Sequence, residues 1–168
     1  MPVTTVCHIS TFSPTQCGIA TYTEDLIRHL SGIRSFKVRM IYDEEPQSGF
    51  AGFDSTVAIR NINTYDEAIV TIDNSKVDVV SLQHEFGIYG GNDGEYAVHL
   101  AEGIKKPIVT TLHTTPAELS TSRTKIVEKL SQKSKFVVVL TEESKEIVSS
   151  RFNVPQTKIR VISLTMAH

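Results

Sequence analysis

Apolar and polar positions along this chain fall into short segments that alternate between two periods. Residues 3–10 carry Val3, Val6, Cys7 and Ile9 in one apolar run and are predicted to form a buried strand. A turn-rich loop with Pro14 and Gly18 as breakers follows over 11–18. From Ile19 the period is helical. Ile19, Thr23, Leu26, Ile27 and Leu30 share one side, while Glu24, Asp25, Arg28 and His29 take the other, until Ser31-Gly32 stops the helix. Phe36, Val38, Met40 and Tyr42 alternate as in a second strand; 43–54 is an acidic, exposed loop, and 56–60 a third strand. Thr64-Tyr65-Asp66-Glu67 has the form of a capping box, so a helix is expected from Thr64 to about Asn74.

The second half repeats the alternation more regularly. Strands are predicted at 77–83, 108–112, 136–140 and 159–162, and helices from 94 or 95 to about 103, over 120–134 and from 141 to about 152. The run 136–140 is apolar throughout, as a strand covered on both faces requires. The predicted order is β-α-β-β-α-β-α-β-α-β-α-β. Strands separated by helices imply an α/β fold, and right-handed crossovers make its mostly parallel sheet doubly wound, a Rossmann-like arrangement with helices on both faces. The 168 residues suit one such domain, spanning 1–168, and no linker divides it.

In such a sheet ligands bind outside the carboxyl ends of the strands. Two neighbouring strands each end there in a histidine: His84, followed by Glu85 and a glycine-rich loop, and His113, followed by Thr114 and Thr115. The loop 11–18 opens onto the same edge, and its Gly18 begins a helix whose N–H groups and dipole favour an anion; a tight turn that needs glycine explains Gly18 equally well. A neutral imidazole at either histidine hydrogen-bonds a sugar hydroxyl or acts as a general base. His84, Glu85 and His113 have the ligand types of a metal hydrolase, but adjacent residues of an extended strand face opposite ways, so no metal is assigned. Gly87, Gly90, Gly91 and Gly94, with Phe86 and Tyr89, suit either a mobile flap over a polyhydroxylated substrate or a plain flexible connection.

Composition changes the picture little. With 40% hydrophobic and 21% charged residues and a net charge of −2, it is ordinary for a globular protein and gives no reason to expect a nucleic-acid partner. Cys7 fits a core position and Cys17 a free thiol in a loop, which favours a reducing, cytoplasmic compartment. No basic leader or membrane-length apolar run is evident.

Three segments carry a resemblance: STFSPTQCGIATYT (10–23), QHEFGIYGG (83–91) and VTTLHT (109–114), supported by VVVLTEES (137–144), FNVP (152–155) and KIRVI (158–162). Over essentially its whole length the chain resembles the N-terminal domain of a GT-B glycosyltransferase of retaining glycosyltransferase family 4, and its first two motifs resemble a mannosyltransferase-like subgroup. The resemblance implies that this domain holds the acceptor while a C-terminal domain binds the nucleotide-sugar, with transfer of a hexosyl group, mannosyl by the subgroup resemblance, in the cleft between them. It implies His113 at the reacting sugar, Gly18 near the donor diphosphate, and His84 and Glu85 on the acceptor side. Gln16, Gly90, Gly91 and Thr114 complete the implied substrate-binding set. It implies no cofactor beyond the nucleotide-sugar substrate, a glycan or lipid-linked acceptor, peripheral membrane association, and a C-terminal GT-B domain in cis or in trans. The family continues past this point with a Pro-Asn/His-Gly turn where this sequence reads SLTMAH (163–168). The isolated chain is therefore expected to lack the donor domain and be inactive alone. The alternative is a non-catalytic module of the same fold that binds a glycan or a partner subunit.

Overall fold

The computed structural model describes residues 4–30, 35–42, 55–115 and 118–163. Along these run β1 (Thr5–Ser10), α1 (Gly18–Leu30), β2 (Ser35–Tyr42), β3 (Ser55–Ala58), α2 (Ile62–Asn74), β4 (Val79–His84) and α3 (Tyr96–Gly103). They continue with β5 (Ile108–Leu112), α4 (Thr121–Lys133), β6 (Phe136–Val139), α5 (Glu142–Arg151) and β7 (Ile159–Val161). The order is the one the periodicity predicts. The stop at Ser31-Gly32 and the acidic loop 43–54 lie outside the described residues.

All pairings are parallel, in the order β3-β2-β1-β4-β5-β6-β7. The direction of winding reverses between β1 and β4, which makes that junction the switch point of the sheet. The connection through α1 steps one way along the sheet and those through α2 to α5 step the other. Right-handed crossovers therefore put α1 on one face and α2, α3, α4 and α5 on the opposite face.

Register and alternation assign each strand residue to a face. His8 pairs with Ser81, Gln83 with Thr111, and His84 with Leu112. On the α1 side stand His8, Ser10, Ser81, Gln83 and Thr111; on the other side stand Cys7, Ile9, Val80, Leu82, His84 and Leu112. A bond of 2.8 Å between Ser10 Oγ and Thr23 Oγ1 of α1 fixes the assignment. The many-helix side is the dry one: Val80, Leu82, Ile108, Leu112, Val137 and Val139 are at most 1% exposed there. Val79, Ser81, Val109 and Phe136 on the α1 side are only half-buried.

One helix start differs from the sequence reading. The cap of α2 is Asn61, whose side chain accepts from Asn63 N, and Thr64 lies inside the helix. The Thr64 hydroxyl instead accepts from Ala58 N at 3.0 Å and donates to Asn61 O at 2.7 Å, tying the helix back to the end of β3. The capping-box spacing was satisfied by a hydroxyl with better local partners. α4 and α5 are capped by the side chains of Ser120 and Thr141, which accept from Arg123 N and Ser144 N.

Candidate active site at the edge of the sheet

His113 follows the last residue of β5, and its backbone N–H donates to His84 O at 3.1 Å, so the pairing with β4 extends one residue past the strand. Its imidazole lies on the α1 side. Nε2 is 2.8 Å from Gln83 Oε1, and Tyr22 of α1 meets the ring edge to face with centroids 5.0 Å apart. Gln83 is itself fully buried, and its amide nitrogen donates to Ser81 Oγ at 3.1 Å. Burial pulls the His113 pKa below its ordinary value, partly opposed by the nearby Glu85 charge. The ring is therefore neutral at pH 7, the state in which imidazole accepts a hydrogen bond or a proton. Burial also raises the pKa of Tyr22, which keeps its phenol protonated.

Glu85 and Thr114 sit beside His113. The Thr114 hydroxyl donates to Glu85 Oε2, and the other carboxylate oxygen accepts from Phe86 N at 2.9 Å. Thr114 is exposed and Glu85 half-buried, so both face the sheet edge. Gln16 and Gly18 are exposed at the start of α1, one turn before Tyr22. Gln16 lines an open cleft of about 540 Å³ with Ser13, Pro14, Thr21 and Glu24. Glu24 there accepts from Ser13 N at 2.9 Å, and the Cys17 thiol lies 3.0 Å from Thr11 Oγ1. A Cβ added at Gly18 would meet nothing within 4 Å, so no tight turn demands glycine there.

Two expectations are corrected. His84 is fully buried on the opposite face from His113, edge-on to Phe86 and stacked on Tyr89, and neither ring nitrogen has a partner among the described residues. It offers no surface to an acceptor; burial holds its pKa at about 3. The cause is the period of two: the last residue of β4 and the first residue past β5 are out of step by one position. No group of three His, Cys, Asp or Glu side chains among the described residues is placed to hold a metal.

The glycine loop is the second correction. It is tied down as two short 3-10 turns rather than left as a flap. Tyr89 Oη donates to Gln83 O at 2.6 Å, Gly90 N to Tyr65 Oη at 3.2 Å, and Arg123 Nε to Asp93 Oδ1 at 3.0 Å. Gly90 is buried against the residue that follows β3, where an added Cβ would sit 1.8 Å from Ile59 O. Gly91 has φ of 82°, the left-handed region open to glycine. Both line a shallow depression with Ile59 and Arg60, near the end of β3, and the structure does not bring them to His113.

His113, Glu85 and Thr114 stand together at the sheet edge, Gly18 lies one turn before Tyr22 at the start of α1, and Gln16 lines a cleft whose walls do not include His113; His84, Gly90 and Gly91 are not brought to His113. The residues missed by the sequence reading are Gln83 and Tyr22. Gln83 shares the face of His113 through its pairing with Thr111, two residues before that histidine. Tyr22 lies four residues past Gly18, on the same side of α1.

Comparison with known proteins bears on the family and the fold. The family model described as Glycosyltransferase Family 4 matches residues 17–164. No curated relative matches by sequence. Among solved structures, an alpha-glucosyltransferase in complex with UDP and a 13-mer DNA is similar with a TM-score of 0.66 at 11% identity, over 96% of this chain and 42% of that one. A glycosyltransferase from Rickettsia africae gives 0.65 at 13%, over 97% and 43%. The wall teichoic acid polymerase TagF gives 0.52 at 11%, over 97% and 38%. At these identities the likeness is one of fold, a GT-B glycosyltransferase fold, and this chain spans less than half the length of each relative. One of them is bound to DNA, so the comparison lends nothing to the expectation that nucleic acid is no partner. No described helix is long and apolar enough to cross a membrane.

Proposed function

The chain belongs to glycosyltransferase family 4, and from that premise we propose that it forms the acceptor-side half of a hexosyl-transfer site. The donor is a nucleotide-sugar, held mainly by a second GT-B domain in cis or in trans. The acceptor is a saccharide or lipid-linked glycan reached at a membrane surface from the cytoplasm, and transfer proceeds with retention. The mannosyl assignment rests on the motifs at 10–23 and 83–91 alone.

The observation that carries this reading is His113: a neutral imidazole at the mouth of the sheet, one strand from the switch point, held from behind by a buried amide. In this reading His113 hydrogen-bonds the transferring sugar. Glu85 and Thr114, joined to each other at the rim, meet acceptor hydroxyls. Gly18, exposed and unobstructed at the start of α1, leaves room for a diphosphate against the positive end of the helix.

The test joins a family-type C-terminal domain to this chain and supplies UDP- and GDP-hexoses with saccharide and lipid-linked acceptors. Transfer of one hexose with the anomeric configuration kept is expected, with His113→Ala lowering turnover about 10²-fold or more. Unchanged turnover in that variant overturns the role of His113. Acceptor binding with no transfer from any donor overturns the catalytic reading in favour of a binding module.

A further inference from the structure

We propose that Gln83 is a positioning residue that fixes the tautomer of His113, so that Nδ1 is the atom presented to substrate. The inference deepens the reading of His113 above and rests on it. Gln83 is fully buried on β4, and its amide is held between two partners. The nitrogen donates to Ser81 Oγ at 3.1 Å, and the oxygen lies 2.8 Å from His113 Nε2. A carbonyl oxygen only accepts, so Nε2 carries the proton and donates it. In the neutral ring the other nitrogen, Nδ1, is then an acceptor, and it has no hydrogen-bond partner among the described residues.

The backbone sets this arrangement before any side chain turns. Ser81 and Gln83 are two apart on one strand, and Gln83 pairs with Thr111, two before His113 on the next. All four therefore stand on the α1 face. The edge contact with Tyr22 then blocks the ring from the helix side and resists its rotation. A ring that cannot flip and whose Nε2 is occupied offers one acceptor lone pair, in one direction. Sugar hydroxyls are donors as well as acceptors, so the site binds a hydroxyl that donates to Nδ1. The wrong tautomer would offer that hydroxyl an N–H and could accept no proton from it.

The test is long-range ¹H–¹⁵N correlation spectroscopy of the imidazoles in this chain as it stands, with the His113→Ala spectrum identifying the His113 signals. The native chain is expected to show His113 as the Nε2–H tautomer at pH 7.5. Gln83→Met, which keeps the length and removes the acceptor, is expected to give a mixture of tautomers. Gln83→Glu is expected to restore the Nε2–H form and to raise the His113 pKa, because a carboxylate favours the imidazolium. A purely structural role for Gln83 would leave the tautomer unchanged in Gln83→Met, and that result overturns the proposal. So does a native ring protonated at Nδ1. With the second domain attached, Gln83→Met should lower kcat about 10²-fold with KM little altered, as expected of misdirected groups. The spectra need no donor or acceptor, so they decide the role of Gln83 even if transfer itself is not found.

Discussion

The two faces of this sheet do different work, and two histidines one position out of step show it. His84 and His113 end neighbouring strands, yet one is sealed among Leu82, Phe86 and Tyr89 and the other stands at the rim beside Tyr22. The face under α2 to α5 is dry and mostly apolar, its buried Thr110 bonded to Ser134 at 2.7 Å. The face under α1 carries His8, Ser10, Ser81, Gln83 and Thr111 across its three central strands, and His113 at their end. Buried polar groups are costly unless satisfied, and on the α1 side Ser10 bonds Thr23, and Gln83 bonds both Ser81 and His113. A polar stripe retained at that cost, and ending at the strand tips, is better explained by positioning chemistry than by stability.

Substitutions should separate the faces. The largest stability loss is expected on the dry side. Leu82→Ala leaves a cavity at a fully buried position and should cost about 3–4 kcal/mol in chemical denaturation. Gly90→Ala forces a Cβ into Ile59 O and should cost about 2–3 kcal/mol by the same measurement. A loss under 0.5 kcal/mol at either position would break the contrast.

Acid sensitivity should come next in size. Burial lowers the folded-state pKa of His84 to about 3 and of His8 to about 4, against an ordinary 6.5. Between those limits the unfolded chain binds more protons, so stability is fullest above about pH 6.5 and falls as pH drops. Each histidine contributes up to about 1.4 kcal/mol per pH unit across that window. His84→Leu should lose one of these contributions and, by removing two unpartnered nitrogens from an apolar site, should not destabilise the protein at pH 7. A steeper pH dependence in His84→Leu would contradict the burial argument. The smallest effect is expected at the cap of α2, where Asn61→Ala should cost about 1 kcal/mol.

Most of the fold was legible in the sequence because its strands are β-branched runs covered by helices of clear period. The order of elements follows from that alone. The site was legible in part. That His113, Glu85 and Thr114 follow neighbouring strands and that Gly18 starts a helix was readable because strand ends and helix starts are marked by residue type. His84 was misplaced because facing depends on register, which a single strand does not reveal. The glycine loop misled for a different reason. Glycines signal backbone freedom, but at Gly90 that freedom is used to approach Ile59 and at Gly91 to take a positive φ, both inside a tied loop. Gln83 was passed over for the same reason that His84 was misplaced, since only its pairing with Thr111 puts it behind His113.

The most direct measurement is a paired one: turnover and thermal unfolding of His113→Ala and His84→Leu, each with a donor domain attached. The account predicts that His113→Ala keeps the native melting temperature within a few degrees and loses about 10²-fold or more in turnover. It predicts that His84→Leu keeps both. An active His113→Ala beside an inactive, well-folded His84→Leu would assign the chemistry to the other face and contradict it.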